Sequence, residues 1–144
     1  MPIRKRVLLV EDHPDTSELI RHELSFGGYD VLIAEDGREA VSASLLLPDI
    51  IIMDMRLPRM NGFDATKRIR ENPKTAAIPI LAATALNGPG DRARCLAAGC
   101  DDYIAKPFTH KELLSALKNL FDKKSAESAS ASVPVTPETA PTGK

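Results

Sequence analysis

The chain has few cysteines, no long apolar run and almost no net charge, and each shortage excludes something. Cys95 and Cys100 are its two cysteines, five apart with no second pair. That count fits neither a zinc site nor a disulfide scaffold, so both read as buried small residues. No apolar run is long enough to span a bilayer. The opening Arg4-Lys5-Arg6 is basic, but the apolar Val7-Leu8-Leu9-Val10 is too short for a signal-peptide core, and Glu11-Asp12 follows at once. These features predict a cytoplasmic protein with no membrane partner. A formal net charge of −1 leaves no electrostatic footprint for nucleic acid, so none is expected as a partner. No internal repeat appears at solenoid periods. Residues 125–144 contain no aromatic and no large aliphatic side chain. Such a segment buries too little to offset its ordering entropy, so 124–144 is expected to be a disordered Ala/Ser/Pro/Thr-rich tail.

What remains is enough for one domain, expected over residues 1–123. The chain has 144 residues and is 43% hydrophobic, which suits one core and is too little for two ordinary ones. Five short apolar runs alternate with helical patterns. Arg6 to Val10 reads as a first strand, followed by a helix opened by His13-Pro14 and stopped by Gly27-Gly28. Tyr29 to Ala34 is a second strand. Asp36 is the expected N-cap of the next helix, with Glu39 as its reciprocal partner, and Pro48 ends that segment. Ile50 to Met53 is an unbroken apolar run, as a strand buried on both faces requires. Asn61-Gly62 starts a helix that Asn72-Pro73 breaks. Ile78 to Ala83 is a fourth strand, ending in Thr84. Asn87-Gly88-Pro89-Gly90-Asp91 leads flexibly into a helix closed by Gly99, with Asn87 a candidate cap. Asp102 to Ala105 is a short fifth strand. Thr109-His110-Lys111-Glu112 is a capping box opening the cleanest amphipathic helix, carrying Leu113, Leu114, Leu117, Leu120 and Phe121. Five strand–helix units imply an α/β fold, a doubly wound parallel sheet with helices on both faces.

Polar residues collect at the carboxyl ends of four strands, where open α/β sheets place their ligand sites. They are Glu11 and Asp12, Asp54, Thr84 and Lys106. If the first and third strands are neighbours, Asp12 and Asp54 face each other with Glu11 beside them. Three carboxylates so close repel, and one lysine cannot neutralise them. A hard dication with oxygen ligands, Mg²⁺ first, suits the place. An Asp carboxylate there has the chemistry of a nucleophile towards phosphorus. Lys106 offsets charge on a transferring phosphoryl group, and Thr84 supplies a hydrogen bond. Taken singly, Glu11-Asp12 also reads as helix-dipole charge, Thr84 as a turn hydroxyl and Lys106 as a surface lysine.

These residues carry a resemblance. Val7-Leu8-Leu9-Val10-Glu11-Asp12, Met53-Asp54-Met55-Arg56-Leu57-Pro58 with Asn61-Gly62, Ala83-Thr84-Ala85, and Tyr103-Ile104-Ala105-Lys106-Pro107 resemble the response-regulator receiver family, the CheY-like fold. The likeness covers about residues 5–122. It implies a flavodoxin-like (βα)5 sheet in strand order 2-1-3-4-5. It implies that Asp54 is the phosphoacceptor, and that Asp12, Asp54 and the Arg56 backbone carbonyl hold Mg²⁺, with Glu11 an outer-sphere ligand. Thr84 and Tyr103 are implied as the switch pair, Lys106 as the partner of the phosphoryl group, and Lys106-Pro107 as a cis peptide.

The expectation is therefore a stand-alone receiver of a two-component system or phosphorelay, not a classical turnover enzyme. A histidine kinase or histidine phosphotransfer protein would donate the phosphoryl group. A downstream protein would read the surface of the fourth helix, fifth strand and fifth helix. The chain would be a monomer or a phosphorylation-dependent dimer. Two other readings stand beside it. An Asp-nucleophile phosphohydrolase usually carries a second Asp two residues after the first, and that position here is Arg56. A phosphate-independent interaction module would have no use for the complete polar set.

Overall fold

Five parallel strands form one sheet in the order β2-β1-β3-β4-β5 in the computed structural model, which describes residues 4–85, 88 and 90–132, without the side chains of 125–132. In chain order the elements are β1 (Arg6–Val10), α1 (Pro14–Phe26), β2 (Asp30–Ala34), α2 (Gly37–Ser44), β3 (Ile50–Met53), α3 (Gly62–Glu71), β4 (Ile80–Thr84), α4 (Asp91–Ala98), β5 (Asp102–Ala105) and α5 (His110–Ser132). This is the doubly wound sheet that the pattern predicts, in the flavodoxin-like strand order that the resemblance implies.

The sheet sorts its side chains by parity. Leu8, Val10, Ile51, Met53, Ile80 and Ala82 meet Ala40 of α2, Ala65 and Ile69 of α3, and Cys95 of α4 on one face. Val7, Leu9, Ile50, Ile52, Leu81 and Ala83 meet Ile20 and Leu24 of α1 and Leu113, Leu117 and Leu120 of α5 on the other. Central strands buried on both sides must be apolar throughout, and β1 and β3 are continuous Val, Leu, Ile and Met after Arg6. Each such large side chain contributes roughly 1.5–3 kcal/mol by leaving water. The edge strand β2 is half-buried and alternates in exposure.

Local signals set the element ends. The Asp36 carboxylate accepts from Glu39 N at 2.8 Å, and Glu39 Oε1 accepts from Glu35 N at 2.9 Å, so the capping box forms one residue out of register. The Thr109–Glu112 box is reciprocal, at 2.8 and 3.0 Å. Asn61 caps α3 through Asp64 N.

Three boundaries differ from expectation. β2 starts at Asp30 and β4 at Ile80; Pro79, just before β4, has no N–H to give a ladder and only accepts from Ile51 N. α5 runs past Lys124 to Ser132, so the boundary expected at 124 falls inside a helix. Residues 125–132 are Ala, Ser and Glu, with no Gly or Pro to stop a helix, and extending an existing helix needs no new nucleus. The rest of the expected tail, 133–144, lies outside the described residues. So does Asn87, the candidate cap of α4; that helix is instead preceded by Gly90 in the left-handed region, with no side-chain cap.

Candidate functional site

β1 and β3 are paired in register, Val10 against Met53, so the residues that follow each strand emerge side by side. Those residues are Glu11 and Asp54, and Asp54 N donates to Val10 O at 3.1 Å. On the other side, Thr84 pairs with Ala105, and Lys106 N donates to Thr84 O at 2.9 Å. The sheet thus brings the ends of four strands to one edge.

Lys106 ties the acids together. Its ammonium donates to Glu11 Oε1 at 2.6 Å and to Asp54 Oδ2 at 3.1 Å. Asp54 Oδ1 accepts from Arg56 N at 2.9 Å. The Lys106–Pro107 peptide is cis. Thr84 is fully buried. Tyr103 is half-buried against the same core face, and the pairing of Ala82 with Tyr103 and Thr84 with Ala105 puts Thr84 and Tyr103 diagonally across one face of neighbouring strands.

Charge and burial act in opposite directions at the two buried acids. Burial pushes the Asp54 carboxyl above its usual range, and the bonds from Arg56 N–H and Lys106 offset only part of that. Burial also opposes ionisation of Glu11, but hydrogen bonds from Lys106 and His13 outweigh it, and its carboxyl sits below its usual range. Burial disfavours the Lys106 ammonium, yet Glu11 and Asp54 together hold its pKa above the ordinary value. Glu11 is therefore the better-compensated anion, and Asp54 the one kept at higher free energy.

The donor set suits a hard dication. Asp12 Oδ1 is buried and makes no hydrogen bond among the described residues, with the His13 ring nitrogen 3.3 Å away. Glu11 and Asp54 meanwhile share one ammonium. A cation beside Asp12 would answer both deficits.

The loop after Asp54 is held by two close approaches. A Cβ on Gly62 would lie 2.3 Å from the Asp54 carbonyl oxygen, and one on Gly37 would lie 2.1 Å from the Met60 carbonyl oxygen. Arg59, with φ of 63°, pairs with Asp36 at 2.5 Å. Sequence reading did not find this clamp, since contacts between distant loops have no period. It also took His13 only as the start of α1. The structure turns the His13 ring towards Glu11, and the signal was its position next to two acids.

The sequence matches the response regulator receiver domain family over residues 7–118. Among curated proteins, the DNA-binding dual master transcriptional regulator RpaA of Synechocystis is 38% identical over 116 residues, 80% of this chain and 48% of RpaA. The transcriptional regulatory protein TrcR of Mycobacterium tuberculosis is 37% identical over 121 residues, 83% of this chain and 46% of TrcR. The chain spans about half the length of the curated relatives it matches. Among solved structures, the receiver domain of the Pseudomonas aeruginosa sensor histidine kinase PA1611, with magnesium coordinated in its active-site cleft, is 40% identical with a TM-score of 0.77, covering 82% of this chain and 98% of that one. The chemotaxis response regulator CheY4 of Vibrio cholerae is 32% identical with a TM-score of 0.77, covering 82% and 99%.

These relatives correct one expectation. Low net charge was read as excluding nucleic acid as a partner, yet RpaA is a DNA-binding regulator. The charge of this chain describes a length equal to about half of such a protein, and a balanced receiver says nothing of what accompanies it. Among the described residues no helix is long and apolar enough to cross a membrane.

Proposed function

Because the chain belongs to the response regulator receiver family, we propose that it works in the cytoplasm as a phosphorylated switch of a two-component system. It takes a phosphoryl group from a phosphohistidine on a histidine kinase or phosphotransfer protein onto Asp54. The observation that carries this reading is the Lys106 ammonium bridging Glu11 and Asp54 beside an Asp12 oxygen that accepts no hydrogen bond among the described residues.

The chain's own groups divide the work. Asp54 Oδ attacks phosphorus; the new P–O bond forms as the P–N bond to the donor histidine breaks, and the imidazole leaves with its electron pair. Burial favours this step, because it keeps the attacking carboxylate poorly solvated. Lys106 is placed to follow the charge from the carboxylate to the phosphoryl oxygens, and the Thr84 hydroxyl to donate to one of them. Asp12, Asp54 and the Arg56 carbonyl would hold Mg²⁺, with Glu11 outside them; when bound, the ion offsets negative charge on the phosphoryl group. A magnesium-bearing cleft in the PA1611 receiver domain supports that assignment. A groove of about 430 Å³ between Leu19 and Ile20 of α1 and Pro107-Phe108 opens beside Lys106 and offers a seat for the donor.

The output follows from Thr84 and Tyr103 sharing one sheet face. When Thr84 turns to the phosphoryl group, space opens for the ring, and the α4-β5-α5 surface changes shape for a downstream partner. The names of the curated relatives support control of transcription as the class of response.

Incubation with acetyl phosphate tests the chemistry. Wild type in Mg²⁺ is expected to gain the mass of one phosphoryl group; Asp54→Asn, or wild type in EDTA, is not. Labelling of the Asp54→Asn protein would sink the assignment.

A further inference from the structure

Arg59 adopts a backbone that its residue type avoids. Its φ is 63°, and Met60 N donates to Pro58 O at 2.6 Å across it, closing a three-residue turn. Such turns with positive φ at the centre are rare and strained, and glycine is the residue that takes them readily. Strain of this kind persists only where the surrounding contacts over-determine it, and it gathers at functional sites. Here the turn lies on the loop between Asp54 and α3.

The contacts that hold the turn come from the start of α2. Arg59 Nε donates to Oδ2 of Asp36, whose carboxylate is buried. The other oxygen of Asp36 caps α2 through Glu39 N, and these two bonds hold its carboxyl below its usual range. One residue on, Gly37 N donates to Met60 O at 3.0 Å. The Met60 carbonyl fills the place of a Gly37 Cβ, so no side chain separates α2 from the turn. At the base of the loop, Gly62 N donates to Met55 O at 3.0 Å and Arg56 N to Asp54 Oδ1 at 2.9 Å. Arg56 therefore sits between a fixed base and a tip anchored by one ion pair. Among the described residues Arg59 bonds to none of Glu11, Asp12, Asp54 or Lys106, so it acts on the site only through the loop.

We propose that Asp36 and Arg59 are a positioning pair for the phosphoacceptor loop. Their bond holds the strained turn closed, and the closed turn sets where the Arg56 carbonyl lies beside Asp54. Without the bond the turn relaxes towards ordinary backbone and carries that carbonyl away. This rests on the reading of Asp54 as phosphoacceptor and of the Arg56 carbonyl as a Mg²⁺ ligand.

Calorimetric titration of the full chain with Mg²⁺ tests this in wild type, Arg59→Ala, Arg59→Gly, Asp36→Asn and the double variant Asp36→Asn/Arg59→Ala. Asn keeps the cap on Glu39 N and removes the charge. Alanine keeps the backbone strain and removes the anchor, whereas glycine removes both. Arg59→Ala and Asp36→Asn are each expected to weaken Mg²⁺ binding about fivefold, and the double variant no more than the worse single. Arg59→Gly should bind within about twofold of wild type, because its turn needs no anchor. Loss of the Arg59 cation would by itself strengthen Mg²⁺ binding, which is the opposite sign. In EDTA, amide exchange at Gly37, Met60 and Gly62 should quicken in Arg59→Ala, and less so in Arg59→Gly. Unchanged Mg²⁺ affinity in Arg59→Ala or Asp36→Asn overturns the proposal, as do losses that add in the double variant. Equal losses in Arg59→Ala and Arg59→Gly also overturn it, because the side chain would then not be holding a strained turn. The acetyl phosphate assay stands apart. Labelling that requires Asp54, with Mg²⁺ affinity indifferent to Asp36 and Arg59, removes the pair and keeps the receiver chemistry; labelling that ignores Asp54, with the pair coupled, does the reverse.

Discussion

Asp54 and Glu11 lie at neighbouring strand ends and are shifted in opposite senses, burial prevailing at Asp54 and hydrogen bonds at Glu11, and that contrast is measurable without any phosphodonor. The Asp54 carboxyl is held above its usual range, so the unfolded chain releases that proton at lower pH than the folded one does. Its contribution to stability is therefore full at low pH and is lost as pH rises through the folded value. Glu11 is held below its usual range, and its contribution is present above the unfolded value and lost as pH falls. Asp54→Asn removes the costly charge and leaves Lys106 on Glu11. In EDTA near neutral pH the variant is expected to be more stable than wild type by about 1 kcal/mol, or roughly 3–5 °C in Tm. The gain should shrink as pH falls through the folded value and towards about 3, below the unfolded Asp pKa of about 3.9, where both folded and unfolded Asp54 carry the proton. Thermal melts across that range check this, and a variant that melts below wild type would contradict it. Cys100 illustrates burial that outweighs its compensation: its thiol is pushed up to about 12 although Thr66 and Arg70 pull the other way, in keeping with a small core residue.

At the scale of elements, the loop from Asp54 to Gly62 is positioned by contact and not by its own propensity. Gly62 has an ordinary backbone conformation, but the Asp54 carbonyl oxygen occupies the place of its missing Cβ. Gly62→Ala is expected to cost about 2 kcal/mol, because backbone on both sides must shift. A lower urea midpoint with unchanged slope would report that loss; an unchanged midpoint would show that the loop yields freely. The Asn61-Gly62 pair was visible in the sequence as a helix start, and the steric reason for glycine was not. The same division holds along the chain. Ile50–Met53 and Val7–Val10 were legible because strands buried on both faces allow no polar residue. The Asp36 and Thr109 caps were legible because they act within one turn. The pairing of Arg59 with Asp36 and the ring of His13 over Glu11 were not, since neither lies within an element's period.

At the scale of the molecule, α5 closes the fold. Leu113, Leu117 and Leu120 bury one side of the helix against the sheet, and Lys124 Nζ reaches Asp101 Oδ1 at 2.9 Å. Asp101 in turn accepts from Arg70 and from Ile80 N, both at 2.8 Å, which joins the end of α3 and the start of β4 to α5 at Lys124. We propose that the receiver unit is complete at this point, and that the remainder is not needed for its chemistry. Truncation after Lys124 keeps the core leucines and the Asp101 pair, so Tm is expected to change by less than about 2 °C and the rate of labelling by acetyl phosphate not at all. A larger fall in Tm would mean that residues after Lys124 pack on the domain. The order of elements was readable here from alternation alone; the length of α5 was not, because Ala, Ser and Glu hold a helix already started as readily as they leave one unformed.

The bridge from Lys106 to Glu11 spans 95 positions of chain. A ribosome adds about 5–20 residues per second, so the two acids precede their lysine by an interval on the order of ten seconds. During synthesis the strands that carry the acids are made before the lysine that bridges them exists. The strand that carries the cation is the last to be made, so the cluster of like charge is relieved only as β5 joins the sheet edge, and completion of the polar cluster coincides with completion of the sheet.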